Sequence, residues 1–141
     1  MTAADPLTKA DYEALSEFRY QLRRFLRYSE DSAKAAGLTP LQFQLLLHVK
    51  GYPGRPWASI GELAERLQAA QHGVVALVSR CQRAGLVERV AGEPDRRQVR
   101  VHLTPAGERA VRKIAALNRS ELRSLSSVFR VARLSAHNER Q

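Results

Sequence analysis

The sequence predicts a mainly α-helical fold with one small β hairpin. Apolar residues recur at intervals of three and four through most of the 141 residues, and they alternate with polar residues in one short segment near residue 100. The first spacing is that of an amphipathic helix, and the second is that of a half-buried strand. No internal repeat and no low-complexity segment interrupts this organisation.

Composition and charge narrow the class of protein. A chain of 141 residues suits one domain, or a domain with an extension. The net charge is +9, and the segment from Arg80 to Arg133 holds 13 Lys and Arg against 5 Asp and Glu. Such an imbalance suits a polyanionic partner. The chain lacks an apolar run of about 18 residues and a signal-peptide start, so we expect no membrane span and a cytoplasmic protein.

Two helices are predicted in the first third of the chain. The first is a long amphipathic helix from about residue 9 to 35, ended by Gly37. Its apolar positions are Tyr12, Leu15, Phe18, Leu22, Phe25, Leu26 and Ala33. Thr39 and Pro40 supply an N-cap and a first-turn proline for a strongly apolar second helix that reaches Val49. Two prolines and two glycines predict a loop over Gly51–Trp57.

Two further helices follow at close spacing. Ser59 and Glu62 form a capping box at the start of the third helix, whose inner face is Ile60, Leu63, Ala64 and Leu67. A short connection, Gln68–Gln71, leads to a fourth helix that extends to Ala84 and is closed by Gly85. We predict that its inner positions are Val74, Val75, Leu77, Val78 and Cys81.

A basic hairpin comes next. Val87 and Val90 belong to one strand, and Val99, Val101 and Leu103 to its partner. Gly92 and Pro94 mark the tip, which holds Glu93, Asp95, Arg96 and Arg97 in solvent. Two helices joined by a short turn and followed by such a hairpin predict a winged helix-turn-helix. The alternative is an ordinary solvated surface hairpin.

A long helix is predicted from Pro105 onward. Its apolar positions are Val111, Ile114, Leu117, Leu122 and Leu125. A short last helix is predicted over Val128, Phe129, Val131, Ala132 and Leu134, before a polar tail.

Three segments together resemble the MarR family of bacterial transcription regulators. They are IGELAERL at residues 60–67, the pattern VxxLVxRxxxxGLVER from Val74 to Arg89, and DRRQVRVHLTPAG from Asp95 to Gly107. The resemblance covers about residues 10–125. It implies a homodimer, most simply a repressor, that grips double-stranded DNA at a pseudo-palindromic operator. In this reading residues 1–38 hold an N-terminal dimerisation helix, 39–104 the winged helix-turn-helix DNA-binding lobe, and 105–141 the C-terminal dimerisation helices and tail.

The fourth helix would then read the major groove. The residues expected to face DNA are Gln71, His72, Gly73, Ala76, Ser79 and Arg80. Family members commonly carry Ser or Thr near His72 and Gly73, and a larger polar residue at Ala76, so this surface departs from the family pattern. His72 can also be an ordinary surface histidine, and Arg80 can instead pair with Glu88.

The hairpin would contribute four residues. Arg97 matches the arginine that reaches the minor groove in relatives, and Asp95, two residues earlier, would orient the tip. Arg96 is either a phosphate contact or plain surface charge. Arg89 holds either the base of the strand or a phosphate.

The resemblance also implies regulation by a small aromatic or phenolic effector between the dimerisation helices and the DNA-binding lobe. The conceivable lining residues are Tyr20, Arg23, Phe43, Leu47, His48 and Trp57. The alternative is that these are ordinary core and surface residues.

No enzymatic, metal-dependent or cofactor-dependent function is expected. The histidines, His48, His72, His102 and His137, are dispersed, and Cys81 has no CxxC partner. Cys81 is expected to be a small buried hydrophobe. Two alternative functions stay open: a winged-helix protein-interaction module, such as a heteromeric accessory subunit, and a nonspecific architectural DNA binder.

Overall fold

The computed structural model describes residues 6–124 and contains five helices and three strands in that range. In chain order they are α1 (Lys9–Ala35), α2 (Pro40–Lys50), β1 (Trp57–Ser59), α3 (Ile60–Leu67), α4 (Gln71–Arg83), β2 (Val87–Ala91), β3 (Val99–Leu103) and α5 (Pro105–Ser124). The mainly α fold with a small β wing is confirmed. Leu125, His137 and the predicted last helix and tail lie outside the described residues.

Side-chain caps explain where the first three helices begin. At α3 the Ser59 backbone N–H donates to Glu62 Oε1 (2.9 Å), and the Glu62 backbone N–H donates to Ser59 Oγ (3.2 Å). This is the predicted capping box, and equivalent boxes open α1 and α2. The N-cap of α4, Ala70, offers no side-chain hydrogen bond.

The strand β1 corrects the prediction of a loop up to Trp57 and of a two-stranded hairpin. Trp57–Ser59 pairs antiparallel with β3, so the sheet has three strands in the order β1-β3-β2. Ala58 and Val101 are opposite one another in this register, and both are fully buried. Three residues that follow a proline are too few to show alternation, and the strand exists because β3 pairs with it.

The core is centred on α2, as its apolar content predicts. Phe43, Leu45, Leu46 and Val49 are buried, and α3, α4, α5 and the sheet all pack against this helix. One predicted inner position of α4 is wrong, because Val75 is 45% exposed whereas Val74 and Val78 are buried. One residue along a helix is a rotation of about 100°, which carries Val75 to the outer side.

The predicted apolar stripe of α1 is largely uncovered within one chain. Ala33 is the buried residue of this helix, and large apolar side chains along it are exposed. They are Tyr12, Leu15, Tyr20, Leu22, Leu26 and Tyr28, and α5 adds exposed Leu117 and Leu122. Where α1 and α5 do meet, Asn118 Nδ2 donates to Ser29 Oγ (3.0 Å).

The turn between β3 and α5 is tightly packed against the end of α4. A Cβ on Gly107 would collide with the carbonyl oxygen of Leu86, so this position requires glycine. Thr104 adds two hydrogen bonds, from its Oγ1 to the Gly85 carbonyl (2.6 Å) and from the Gly107 N–H to Oγ1 (3.1 Å). Among residues 6–124 no helix has both the length and the hydropathy needed to cross a bilayer.

Candidate nucleic-acid interface

The outer side of α4 carries the residues that the sequence assigns to DNA reading. Burial of Val74, Leu77, Val78 and Cys81 fixes which side of the helix faces the core. Gln71, His72, Gly73, Ala76 and Arg80 are exposed, and Ser79 is half-buried. The Gln71 amide lies near α3, because its Nε2 is 3.3 Å from the position of a Cβ on Gly61. Gln71 is therefore at the edge of this surface, beside the helix-turn-helix turn.

The N-terminus of α4 is open to an anion. Its N-cap, Ala70, supplies no acceptor, and its first turn holds no acidic residue. The first N–H groups of a helix point outward and lie at the positive end of its dipole. A Cβ at Gly73 would meet nothing within 4 Å, so the surface around the first turn is also sterically open. These are the features that a phosphate group requires at a helix end.

Arg89 of β2 ties the hairpin to α4. Its guanidinium donates from Nη2 to Ser79 Oγ (2.8 Å) and to the Val75 carbonyl oxygen (3.3 Å), and from Nη1 to Gln82 Oε1. The three acceptors lie on successive turns of α4. Of the two roles open to Arg89 on sequence, these contacts correspond to holding the base of the strand. Within the described residues Arg80 forms no ion pair with Glu88.

We define the wing as residues 87–103. Hydrogen bonds close the turn at its tip. The Gly92 N–H donates to the Gln98 carbonyl (2.6 Å), and the Gln98 N–H donates to the Asp95 carbonyl (3.2 Å). Asp95 Oδ1 accepts from the Arg97 backbone N–H (3.0 Å) and lies 3.7 Å from Arg97 Nε. The carboxylate thus orders the turn mainly through the backbone.

The two arginines at the tip face solvent. The Arg97 side chain is 97% exposed, and its Nε lies 3.7 Å from the Asp95 carboxylate. Arg96 is exposed as well. A guanidinium on a fixed turn with its donors unsatisfied is available for a phosphate or for a narrow groove.

Sequence reasoning missed an arginine and aromatic cluster at the base of the wing. Arg55 and Arg100 each place their guanidinium carbon close to the Trp57 ring centroid, at 3.8 Å and 4.0 Å. Arg55 also bonds the Glu62 carboxylate. Burial raises the pKa of Glu62, but hydrogen bonds from Ser59, Tyr52 and Arg55 outweigh burial and hold it below its usual value. Trp57 and Arg100 are far apart in the chain, so no local pattern could reveal their contact.

The six conceivable effector residues are not brought together. Phe43 and Leu47 border an apolar groove of about 400 Å³ between α1, α2 and α5. Tyr20 is exposed on α1, and Arg23 borders a different groove on that helix. Trp57 belongs to the wing-base cluster.

The remaining conceivable effector residue, His48, lies near Arg66 rather than in the groove. Burial, and then the positive charge of Arg66, lower the pKa of this histidine.

The polar residue Asn118 borders the apolar groove with an oxygen that is unpaired within residues 6–124. Asn118 is 9% exposed, and its Oδ1 has no hydrogen-bond partner among the described residues. Ser29, which accepts from its amide nitrogen, also lines the groove. The other lining is mainly hydrophobic.

Cys81 is buried in the core side of α4, as expected. Burial raises the pKa of its thiol to about 11, a rise that the charge of Arg80 partly opposes. Because the thiolate is the reactive form, burial disfavours reaction at this cysteine. Residues 6–124 contain no cluster of three potential metal ligands.

The helix pair α3–α4 followed by a sheet with a basic tip defines a winged helix-turn-helix protein. A sequence model of the MarR family matches residues 36–98. The chain is 38% identical over 71 residues to YsmB of Bacillus subtilis (strain 168), a helix-turn-helix-type transcriptional regulator. That match covers 50% of this chain and 49% of YsmB, so the chain spans about half the length of the curated relative it matches.

Solved structures share the fold. A MarR family protein from Bacillus stearothermophilus has 24% identity and a TM-score of 0.73, covering 95% of this chain and 98% of that one. NadR in complex with 4-hydroxyphenylacetate has 17% identity and a TM-score of 0.69, covering 98% and 94%. The family model, the curated relative and the shared fold agree with the resemblance to the MarR family found in the sequence.

Proposed function

We propose that the chain is a sequence-specific DNA-binding transcription regulator that works as a homodimer. The observation that carries this proposal is the junction between α4 and the wing, where Arg89 fixes one element against the other. The outer side of α4 then enters the major groove, and Arg97 at the tip reaches the adjacent minor groove. His72, Ala76 and Arg80 face the bases and phosphates from α4.

The uncovered apolar stripes of α1 and α5 support the dimer. Exposed Leu15, Leu22 and Leu26 on α1 and Leu117 and Leu122 on α5 form more apolar surface than isolated surface residues normally provide. A second copy of the chain buries these stripes. Two recognition helices about 34 to 36 Å apart then meet successive turns of one face of the duplex, which requires a pseudo-palindromic operator.

The groove between α1, α2 and α5 is the place where we propose that an effector acts. It lies where dimerisation helices meet the DNA-binding lobe, and it is lined mainly by apolar side chains, including Phe43 and Leu47. NadR has been crystallised with 4-hydroxyphenylacetate. An aromatic or phenolic molecule of that size, seated in the groove, changes the separation of the two lobes and releases a repressor from its operator.

A competition titration tests the DNA-binding proposal. Labelled duplex from the region upstream of the chain's own gene is titrated with the protein, and unlabelled scrambled duplex of equal length serves as competitor. We expect preference for the native duplex and an affinity that falls steeply with salt, because phosphate contacts release counterions. Equal affinity for both duplexes would indicate an architectural binder, and no binding to either would favour a protein-interaction module.

A further inference from the structure

One guanidinium joins the tip of the wing to the far strand of the sheet. Arg100 of β3 donates from Nη2 to the carbonyl oxygen of Glu93 at the tip (2.6 Å). Its Nε lies 3.5 Å from Gln98 Oε1, and its Cζ lies 4.0 Å from the centroid of the Trp57 ring on β1. Arg100 therefore connects the turn that carries Arg97 to an aromatic ring at the base of the wing.

Trp57 is itself fixed from the body of the protein. Arg55 places its guanidinium carbon 3.8 Å from the ring centroid and bonds Glu62, a first-turn residue of α3. The His102 ring is stacked on Trp57, with centroids 6.2 Å apart, from the directly paired position of β3. The contacts thus run without interruption from α3, through Trp57, to the wing tip.

Such a path matters because a hairpin tip in solvent is normally a locally unstable part of a fold. A mobile tip must be ordered when it binds, and that ordering reduces affinity. Arg100 already donates hydrogen bonds to Glu93 and Gln98 inside the wing, whereas the Arg97 guanidinium is 97% exposed and has only a long ion pair with Asp95 among the described residues.

We propose that Trp57 and Arg100 are positioning residues that order the wing tip in the free protein, so that Arg97 meets DNA already in place. This inference rests on the proposed DNA-binding function. The arrangement requires an arginine and an aromatic ring, because a planar guanidinium can stack on a ring while it donates to a carbonyl group.

The first test uses Trp57→Leu in the free, full-length chain. Millisecond hydrogen exchange is measured at the tip amides of Gly92 and Gln98, which are hydrogen-bonded in the closed turn. We expect faster exchange there and an operator affinity roughly 3- to 10-fold weaker, the cost of ordering about one side chain and its turn. The salt dependence stays unchanged because no charge is removed. Trp57→Phe keeps an aromatic face and restores both properties.

A second variant separates positioning from direct contact with DNA. Arg100→Gln removes the guanidinium, and Arg96→Gln is the matched control that removes the same charge from the tip. We expect faster tip exchange in Arg100→Gln and wild-type exchange in Arg96→Gln. If Arg100 instead touched a phosphate, Arg100→Gln would lower the salt slope by about one per protomer and leave tip exchange unchanged.

Two results would overturn the proposal: unchanged tip exchange in both Trp57→Leu and Arg100→Gln, or faster exchange with undiminished operator affinity. Thermal melting shows whether Trp57→Leu folds. If it does not fold, tip exchange and operator affinity of Arg100→Gln and Trp57→Phe test the proposal instead. If the wild-type chain did not bind DNA, that result would contradict the proposed function but not the ordering of the wing tip. The exchange measurement on free protein would still report whether Trp57 and Arg100 order the tip.

Discussion

Replacement of Arg97 by alanine separates DNA binding from stability in a single variant. The side chain is 97% exposed, and its ion pair with Asp95 spans 3.7 Å in solvent, so it contributes little to the folded state. The melting temperature should stay within about 2 °C of the wild-type value. Loss of one good groove contact costs about 1 to 3 kcal/mol in operator binding, which is roughly a 5- to 150-fold weaker affinity for each wing.

Fluorescence anisotropy on operator and scrambled duplexes, at several salt concentrations, measures this effect. Arg96→Ala is the matched control, because it removes the same charge from the neighbouring exposed position. We expect Arg97→Ala to weaken operator binding more than scrambled binding, and Arg96→Ala to weaken both equally. Equal losses for the two variants on both duplexes would refute a groove-reading role for Arg97 and leave only general attraction to phosphates.

Three further predictions concern how the lobe is held together. Arg89→Lys keeps the charge but loses the forked contacts to α4, so we expect a lower melting temperature and reduced operator preference; an unchanged preference would contradict its positioning role. Gly107→Ala should destabilise the fold by about 1 to 3 kcal/mol in urea unfolding, because its Cβ would meet the Leu86 carbonyl, and wild-type stability would disprove that contact. The pKa of His48 is lowered by burial and by Arg66, so the unfolded chain binds its proton more readily. The free energy of unfolding should therefore fall as pH drops below about 6.5, and His48→Gln should flatten that decline; parallel curves between about pH 7.5 and 5 would count against it.

The local parts of the fold could be predicted from the sequence because they depend on residues close together in the chain. The Ser59 and Glu62 capping box, the proline in the first turn of α2 and the alternation in β3 each report on one element. Gly92 and Pro94 likewise predict the hairpin tip from local sequence alone. The exposed side of α4 could be predicted from the apolar residues of its other side. The prediction that Val75 faces the core was wrong because several apolar residues follow one another there and do not define one face.

The interactions between elements could not be predicted in this way. β1 forms only because β3 pairs with it, and Arg89 reaches α4 across the angle between helix and strand. The contact between Trp57 and Arg100 depends on the register of two strands that are distant in sequence. The resemblance and the chemical type of the six conceivable effector residues do not tell which of them share a surface, and the fold brings only Phe43 and Leu47 to the groove.

The arginines on and beside the wing divide into two groups with different physical roles. The guanidinium groups of Arg55, Arg89 and Arg100 already contact rings, carboxylates, hydroxyls or carbonyl groups of the protein. Those of Arg96 and Arg97 face solvent. Counterion release depends on charges that replace cations at phosphates, so we expect the second group, together with exposed Arg80 on α4, to contribute more to the salt dependence of binding than the first group. The first group acts before binding, because it fixes the position of the solvent-facing arginines in the free protein. On the proposed function, net charge alone therefore overstates the number of DNA contacts and does not distinguish the arginines that hold the wing in place from those that face solvent.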